Sequence, residues 1–218
     1  ATADGVVPCL VTEVEASAQE LRREGFLAQS MVGDVTDVAS FGALVAQQGP
    51  FDILVNNAGT NRPRPIHEIT PDDYDAVMNV NLRAAYFAAQ AVTAGMIKAG
   101  RGGVVINMSS QMGHVGAPNR TLYCASKWAI EGFTKALAAE LGPQNIRVNS
   151  ICPTFVDTPM TKPMFEDPAF KASVLSQIKL GRSAQVSDIT GAAVFLASDA
   201  AAMMTGSSLV VDGGWTAV

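Results

Sequence analysis

The chain has 218 residues and a mass of 22.8 kDa; 48% of its residues are hydrophobic and 16% are charged. This composition is typical of a globular domain with a sizeable core, and it excludes disordered and collagen-like proteins. Fifteen lysines and arginines against twenty aspartates and glutamates give a formal net charge of -5, so the sequence lacks the basic surface of a nucleic-acid-binding protein and we expect no nucleic-acid partner.

No apolar run approaches the roughly 18 residues that a membrane-spanning helix needs, so we expect no membrane partner. We also expect no signal peptide. The three cysteines form no Cys-x-x-Cys pair, and two histidines are too few for a His-rich zinc site. These counts predict a cytoplasmic protein without a metal ion.

Apolar segments typical of strands alternate along the chain with patterns typical of helices. In the first half these are a strand at Val6 to Thr12, a helix at Glu13 to Glu24 ended by Gly25, an apolar segment at Leu27 to Val32, a helix at about Val38 to Gln48, a strand at Ile53 to Val55, and a helix that begins at Thr70-Pro71 and continues, in two segments, towards Lys98. In the second half they are a strand at Val104 to Met108, a helix at Leu122 to Leu141, a strand at Ile146 to Ile151, a helix at Val186 to Ala197 and a strand at Ser208 to Val211. This alternation predicts an α/β fold whose parallel sheet is covered by helices on both faces.

Residues 154 to 185 interrupt this alternation. They are broken by three prolines, contain one short predicted helix near Ala169 to Gln177, and show no apolar stripe. We expect a mobile insertion here. Four of its apolar residues could form a lid that excludes water, although local packing would also account for them: Met160, Met164, Phe165 and Phe170.

Four polar segments stand where predicted strands end or inside predicted helices. They are Asn56-Asn57-Ala58-Gly59 after a strand, Asn79-Val80-Asn81-Leu82 within a helix, Asn107-Met108-Ser109-Ser110 at the end of a strand, and Tyr123-Cys124-Ala125-Ser126-Lys127 within a helix. Taken singly, each has a plain alternative: a turn, a kink or satisfied core asparagine, a polar loop, and an exposed pair. A lysine one helical turn from a phenol favours the phenolate, which lowers the tyrosine pKa from about 10 and makes Tyr123 usable as an acid or base near neutral pH.

In this order, with Pro153-Thr154-Phe155-Val156-Asp157-Thr158 after the next strand, the four segments closely resemble the short-chain dehydrogenase/reductase family. Val211-Asp212-Gly213-Gly214 is similar to the turn after the family's last strand. The resemblance covers nearly the whole chain. It implies a doubly wound, Rossmann-like parallel sheet in three layers, with residues 1–218 forming one dinucleotide-binding and catalytic domain and a substrate lid at about 154–185.

The resemblance implies hydride transfer between NAD or NADP and a secondary alcohol or ketone. It assigns four catalytic roles: Tyr123 is the general acid/base, Lys127 lowers its pKa and holds the nicotinamide ribose, Ser110 hydrogen-bonds the substrate oxygen, and Asn81 positions a water in a proton relay to Lys127. The implied cofactor contacts, besides Tyr123 and Lys127, are Asp34 and Val35 at the adenine, Asn57, Ala58 and Gly59 along the adenosine side, and Pro153, Val156 and Thr158 around the nicotinamide.

The sequence departs from the family at its start, where a first strand, a Thr-Gly-x-x-x-Gly-x-Gly turn and a first helix normally hold the cofactor pyrophosphate. The 218 residues contain no such turn. In the interpretation we favour, Cys9 to Thr12 end the first strand, and the glycine turn, first helix and second strand are missing between Thr12 and Glu13. In the other, Val6 to Val11 is already the second strand. Both make the chain part of a longer protein; if it is instead complete, a non-catalytic binding or regulatory protein on the same fold is the alternative.

Two further points concern the cofactor site. The residue that distinguishes NAD from NADP ends the second strand, so the choice between the two cofactors stays open. A smaller departure is Thr154, which stands where the family usually has glycine.

The loops after the strands supply the substrate pocket in this family, and several of their residues here are polar. The candidates are Asn61, Gln111, His114 and Arg120. Arg120 lies about one turn before Tyr123, where a guanidinium could pair with a carboxylate. Together they favour a polar substrate such as a sugar acid, polyol or hydroxy acid, although each could be a solvated loop residue. The alanine-rich helices Arg83 to Ala99 and Tyr123 to Leu141 correspond to helices that pack between subunits in the family, which implies a homotetramer.

Overall fold

The computed structural model describes residues 11–217, and its centre is a parallel sheet. The strands are β1 (Ile53–Asn56), β2 (Gly103–Met108), β3 (Ile146–Pro153) and β4 (Ser208–Val211), in the spatial order β1-β2-β3-β4. Their register places Asn56 beside Asn107 and Pro153 beside Val211. The carboxyl ends of the strands therefore meet at one edge of the sheet, where ligands bind in open α/β folds.

Two helices of this part of the chain precede β1, and the other five connect the strands. They are α1 (Val11–Arg23), α2 (Val38–Gln48), α3 (Pro71–Met78), α4 (Ala85–Ala99), α5 (Thr121–Leu141), α6 (Pro168–Gln177) and α7 (Val186–Ala197), and a π-helical turn, Asn79–Ala84, joins α3 to α4. The bounds of α2, α7 and β4 are those that the sequence predicts, and the other elements differ by one or two residues. None of the helices in residues 11–217 is long and apolar enough to cross a membrane.

Apolar clusters cover both faces of the sheet. On one face, Val105 of β2 packs with Met96 of α4 and with residues of α2 and α5. On the other, Ile106 of β2 packs with Leu196 of α7. Because neighbouring residues of a strand point to opposite faces, both Val105 and Ile106 are fully buried. The predicted three-layer, Rossmann-like sheet is thereby confirmed.

Two predictions near the start of the chain are corrected. The strand at Val6 to Thr12 falls mainly outside the described residues, and Val11 and Thr12 begin α1 instead, which runs unbroken across Thr12 and Glu13. Leu27 to Val32, a strand in the predicted alternation, forms no regular element, and Leu27 is fully exposed. A strand needs a neighbour to satisfy its backbone groups, and within residues 11–217 this segment is paired with no strand of the sheet.

Residues 154–185 lie over the carboxyl edge through aromatic contacts. The ring of Phe155 lies 5.8 Å from those of Phe165 and Phe170 and 5.9 Å from that of Trp215. The predicted lid residues Phe165 and Phe170 therefore pack within the insertion, and closure of a lid stays a prediction.

Candidate active site

Two asparagines join the carboxyl ends of β1 and β2. Asn56 Nδ2 donates to Asn107 Oδ1 (2.9 Å) and to the Ala85 carbonyl (3.1 Å). Asn107 Nδ2 donates in turn to Thr134 Oγ1 on α5 (2.9 Å). The sheet edge is thus tied to α4 and α5, and this fixes the point at which residues 57–59 leave β1.

Asn81 lies in the π-helical turn between α3 and α4, which is the kink that the sequence left as an alternative. Its Oδ1 accepts the Thr60 N–H (2.7 Å), and its Nδ2 donates to the Thr60 carbonyl and to Ser126 Oγ (both 3.0 Å). Asn81 is 2% exposed. The extra residue of the π-turn therefore places a buried amide between the loop after β1 and helix α5.

Ser110 follows the end of β2 and is buried. Its Oγ accepts the Met112 N–H (3.1 Å) and donates to Gln111 Oε1 (3.0 Å). The predicted substrate residue Gln111 is buried as well and is the direct neighbour of this hydroxyl. The serine hydroxyl is thus oriented by its own short 3₁₀ turn.

Tyr123 and Lys127 lie one turn apart on α5, as the spacing predicts. Lys127 Nζ donates to the Met108 carbonyl (2.9 Å) and lies 5.6 Å from the centre of the Tyr123 ring. Burial lowers the pKa of Lys127 to about 8, although the nearby Cys152 and Glu131 oppose this. Helix α5 therefore presents a phenol and a buried ammonium beside Ser110 and Asn81.

The pKa of Tyr123 differs from the sequence expectation. Burial raises it, while the Ser110 hydroxyl and the Arg120 charge lower it without reversing the effect. The expected lowering of this pKa is therefore not found in this structure, because desolvation of the phenolate dominates, and the effect of Lys127 on the phenol stays a prediction. The phenol is protonated at neutral pH.

Sequence reasoning missed Glu131, which lies one turn beyond Lys127 on the buried side of α5. Its carboxylate accepts hydrogen bonds from Ser150 Oγ (3.0 Å) and Ser208 Oγ. Burial opposes ionisation, but these bonds hold the pKa of Glu131 below its ordinary value. A charged residue in the apolar pattern of a helix was the available signal. Glu131 ties α5 to β3 and β4 beneath the site.

His114 and Cys152 complete this buried cluster. His114 Nε2 lies 3.3 Å from Cys152 Sγ and 3.7 Å from Glu131 Oε2. The predicted substrate residue His114 thus directs this nitrogen into the protein. The candidate ligand atoms of the three side chains lie within 4.8 Å of one another, a grouping that the sequence did not indicate, and the expected absence of a metal stays a prediction. Burial raises the pKa of the Cys152 thiol to about 12.

The remaining predicted substrate residues, Asn61 and Arg120, carry buried polar atoms without a partner. Asn61 Oδ1 and Arg120 Nη1 are both shielded from solvent and form no hydrogen bond within residues 11–217. The loop that contains Asn61 lies against the segment before α5, since the Arg64 N–H donates to the Asn119 carbonyl (3.2 Å). Arg120 thus lies three residues before Tyr123, and the loop of Asn61 contacts the segment that precedes Arg120.

The predicted cofactor residues lie along the same edge. Asn57 and Ala58 are exposed after β1, and Gly59 is close enough to Asn81 and Lys127 that an added Cβ would lie 3.6 Å from Asn81 Oδ1 and 3.8 Å from Lys127 Nζ. Asp34 is exposed and Val35 is half-buried, and their segment is tied to the π-turn by a bond from Arg83 Nη1 to the Thr36 carbonyl (3.0 Å).

The far end of the predicted cofactor site follows β3. Pro153 ends the strand, Val156 forms a bridge with Ala184, and the Thr158 N–H donates to Thr161 Oγ1 (3.0 Å). Thr154 Oγ1 is buried without a partner in the described chain. A nicotinamide ring fits this end of the site, because its amide could form a hydrogen bond with the Thr154 hydroxyl. No comparable group fits the pyrophosphate, since residues 11–217 contain no glycine-rich turn between a strand and a helix.

Comparison with known proteins extends over the whole of this site. A family model described as enoyl-(acyl carrier protein) reductase matches residues 5–216. The chain is 39% identical to the L-xylulose reductase of Bos taurus over 207 residues, which are 95% of this chain and 85% of that protein. It is 41% identical to the D-threitol dehydrogenase of Mycolicibacterium smegmatis over 206 residues, 93% of this chain and 78% of that protein.

A solved structure is also similar to this chain over most of its length. A gluconate 5-dehydrogenase from Burkholderia cenocepacia, in complex with NADP and tartrate, superposes with a TM-score of 0.91 at 36% identity, covering 95% of this chain and 82% of that one. The matched ranges thus extend over the sheet and its carboxyl edge.

Proposed function

Since the chain belongs to the short-chain dehydrogenase/reductase family and is an NAD- or NADP-dependent oxidoreductase of alcohols and ketones, we propose that its substrate is a small polar compound: a sugar acid, a polyol or a hydroxy acid. The observation that carries this is the buried, unpartnered Nη1 of Arg120, three residues before Tyr123; Asn61, on the loop that contacts the preceding segment, adds a second unpartnered polar atom. The named relatives act on a ketose, a polyol and a sugar acid, which supports the same range of substrates.

In the proposed mechanism, Tyr123 moves the proton at the substrate oxygen. Its raised pKa keeps the phenol protonated at neutral pH, so it can donate to the oxygen of a ketone as that oxygen becomes negative. Ser110 donates its hydroxyl hydrogen to the same oxygen, which requires it to leave Gln111. A bound nicotinamide supplies the hydride for reduction or accepts it in oxidation.

Lys127 and Asn81 support the proton transfer by Tyr123 without contacting the substrate oxygen. Lys127 is held by the Met108 carbonyl and would bond to the nicotinamide ribose with its remaining hydrogens. Both N–H groups of the Asn81 amide are occupied, whereas its Oδ1 accepts one bond and retains a lone pair for a relay water. The relay would carry a proton from solvent through Lys127 to Tyr123.

The remaining cofactor contacts follow the edge of the sheet. We assign Asp34 and Val35 to the adenine, residues 57–59 to the adenosine side, and Pro153, Val156 and Thr158 to the nicotinamide. Residues 1–218 would act as one dinucleotide-binding and catalytic domain, in which residues 154–185 close over the substrate. The small number of cysteines, without Cys-x-x-Cys spacing, supports a cytoplasmic location.

Replacement of Tyr123 by Phe tests the mechanism. Loss of a general acid/base lowers a rate by about 10²- to 10⁴-fold, so we expect Tyr123→Phe to lower kcat by at least about 100-fold with gluconate, xylitol or threitol as substrate. Tyr74→Phe, which removes the same hydroxyl from an exposed position on α3, is the control and should retain full activity. Full turnover by Tyr123→Phe would overturn the assignment.

The alternative of a non-catalytic binding protein rests only on the missing glycine turn. Steady oxidation of NADH or NADPH in the presence of a ketose, at a rate proportional to protein concentration, excludes it. Binding of either cofactor without any turnover over a panel of polar ketones would favour it.

A further inference from the structure

Arg120 is the residue directly before α5, and hydrogen bonds fix its backbone on both sides. Its N–H donates to the Ala117 carbonyl (3.3 Å), and its own carbonyl accepts the Cys124 N–H (2.7 Å). The residue is only 8% exposed. The guanidinium is therefore held inside the protein, three residues before Tyr123.

The arginines in the loop after β1 differ from Arg120. Arg62 and Arg64 pair with the Asp73 carboxylate at 3.1 and 3.5 Å. Among residues 11–217, Arg120 has no carboxylate within 4.0 Å, and its Nη1 is fully shielded without a hydrogen-bond partner. A buried cation is expensive unless it is paired, and an anionic ligand would provide the pair.

The surroundings of Arg120 identify which ligand this is. Its charge lowers the pKa of Tyr123, so the guanidinium and the phenol belong to one electrostatic environment. Asn61, on the loop that lies against this segment, contributes a shielded Oδ1 that can accept a hydroxyl hydrogen. A planar cation with several donors matches a carboxylate, and a neighbouring acceptor matches a hydroxyl.

We propose that Arg120 binds the carboxylate of a polyhydroxy acid whose carbinol or ketone lies at Tyr123, and that Asn61 accepts a hydroxyl of the same molecule. This rests on the proposed function and narrows it: the preferred substrates are sugar acids rather than neutral polyols. Arg120 is thus the specificity-determining residue, and Tyr123 and Ser110 act on whichever oxygen the carboxylate anchor places before them.

The test compares matched pairs of substrates that differ only at one end of the carbon chain. Gluconate and glucitol form one pair, and threonate and threitol another; kcat/KM is measured for each with both NAD and NADP. We expect the wild type to prefer the acids and Arg120→Gln to lower kcat/KM for the acids about 100-fold more than for the polyols. Arg120→Lys, which keeps the charge but lacks the two parallel N–H donors of a guanidinium, should retain part of the preference for the acids.

Arg101→Gln is the matched control, since Arg101 is exposed and pairs with Asp52 before β2, at the opposite end of the sheet from Tyr123. This variant removes the same charge and should leave the ratio of kcat/KM for the acids to kcat/KM for the polyols unchanged. An unchanged ratio in Arg120→Gln would overturn the proposal, as would an equal loss in Arg101→Gln, because the effect would then be one of net charge alone.

A binding measurement separates this proposal from the proposed function. Gluconate should raise the melting temperature of the wild type, whereas glucitol at the same concentration should not, and the shift should vanish in Arg120→Gln. Stabilisation by gluconate without turnover of any alcohol would contradict the proposed reaction and leave the carboxylate site standing. If the wild type turned over polyols but gluconate neither stabilised nor inhibited it, the carboxylate site would be contradicted and the proposed reaction would remain.

Discussion

Tyr123 lies near two cations, Arg120 and Lys127. Arg120 lowers the pKa of Tyr123, but burial raises it by more, and Lys127 is itself partly deprotonated above about pH 8. The tyrosine–lysine spacing therefore predicts which residues take part in proton transfer but not the electrostatics of the phenol. At the scale of single residues, burial decides the protonation state before neighbouring charges adjust it.

The buried Lys127 has a consequence for stability. Its pKa falls from 10.5 to about 8 on folding, so between these values the unfolded chain binds the proton and the folded chain does not, and stability rises with pH. Below pH 8 the full cost of burying the charge is present, on the order of 3 kcal/mol. We expect Lys127→Met to be inactive but more stable than the wild type at pH 7.

Urea unfolding at pH 7 and at pH 9.5 measures this. The advantage of Lys127→Met should shrink at the higher pH, while Lys98→Met, at an exposed position in the last turn of α4, should show no such change. A variant that is equally destabilised at both values would indicate that the bond to the Met108 carbonyl, not the charge, controls this site.

At the scale of elements, the π-turn depends on the hydrogen bonds of one side chain. Asn81→Ala would leave the Thr60 N–H and carbonyl without their partner, and it would remove the donor to the Ser126 hydroxyl, which keeps its own bond to the Tyr123 carbonyl (2.7 Å). Because an unsatisfied buried group costs about 1–3 kcal/mol, we expect a loss of at least about 2 kcal/mol in the free energy of unfolding. Chemical denaturation with Asn79→Ala as control, an exposed asparagine in the same turn, checks this; similar losses in both variants would refute it.

The elements that the sequence predicts well are those with strong local signals. Helix α7 and strand β4 have the predicted bounds because their apolar patterns end at clear polar or glycine boundaries. The strand prediction for Leu27 to Val32 is wrong for the opposite reason. An apolar segment forms a strand only where a neighbouring strand pairs with it, and the sequence of the segment itself does not show whether such a neighbour exists.

The site follows the same division. Tyr123, Lys127, Ser110 and Asn81 could be named because the four segments together resemble the family, and each segment ends a strand or lies on one helix. The buried links between elements could not, because Glu131 reaches Ser150 and Ser208 only after α5 packs on β3 and β4. Nor could the direction of His114, whose loop position suggested a substrate contact.

At the scale of the whole molecule, one apolar surface is a candidate for contact between subunits. A depression of about 650 Å³ on α3, α4 and α5 is lined mainly by apolar side chains, including Tyr86 and Phe133, whose rings lie 4.9 Å apart. Tyr74 and Tyr86 are about half exposed here. We expect this face to join subunits of a homotetramer, in agreement with the helices identified from the sequence.

Tyr86→Lys tests this expectation by placing a second cation beside Arg83 on the apolar face. Light scattering after gel filtration should give about four times 22.8 kDa for the wild type and a smaller mass for the variant. Leu21→Glu, at an exposed position on α1, is the control and should keep the wild-type mass. A wild type that elutes as a single subunit would contradict the tetramer.

The π-turn also limits how this chain can change its length. A π-helical turn holds one residue more than an α-helical turn, so deleting a single residue between Asn79 and Ala84 would convert α3 and α4 into one regular helix. That helix would have better hydrogen bonds, yet it would rotate Asn81 away from Thr60 and Ser126. Surface loops in general tolerate deletions, whereas here a shorter and straighter helix would break the link between the loop after β1 and helix α5.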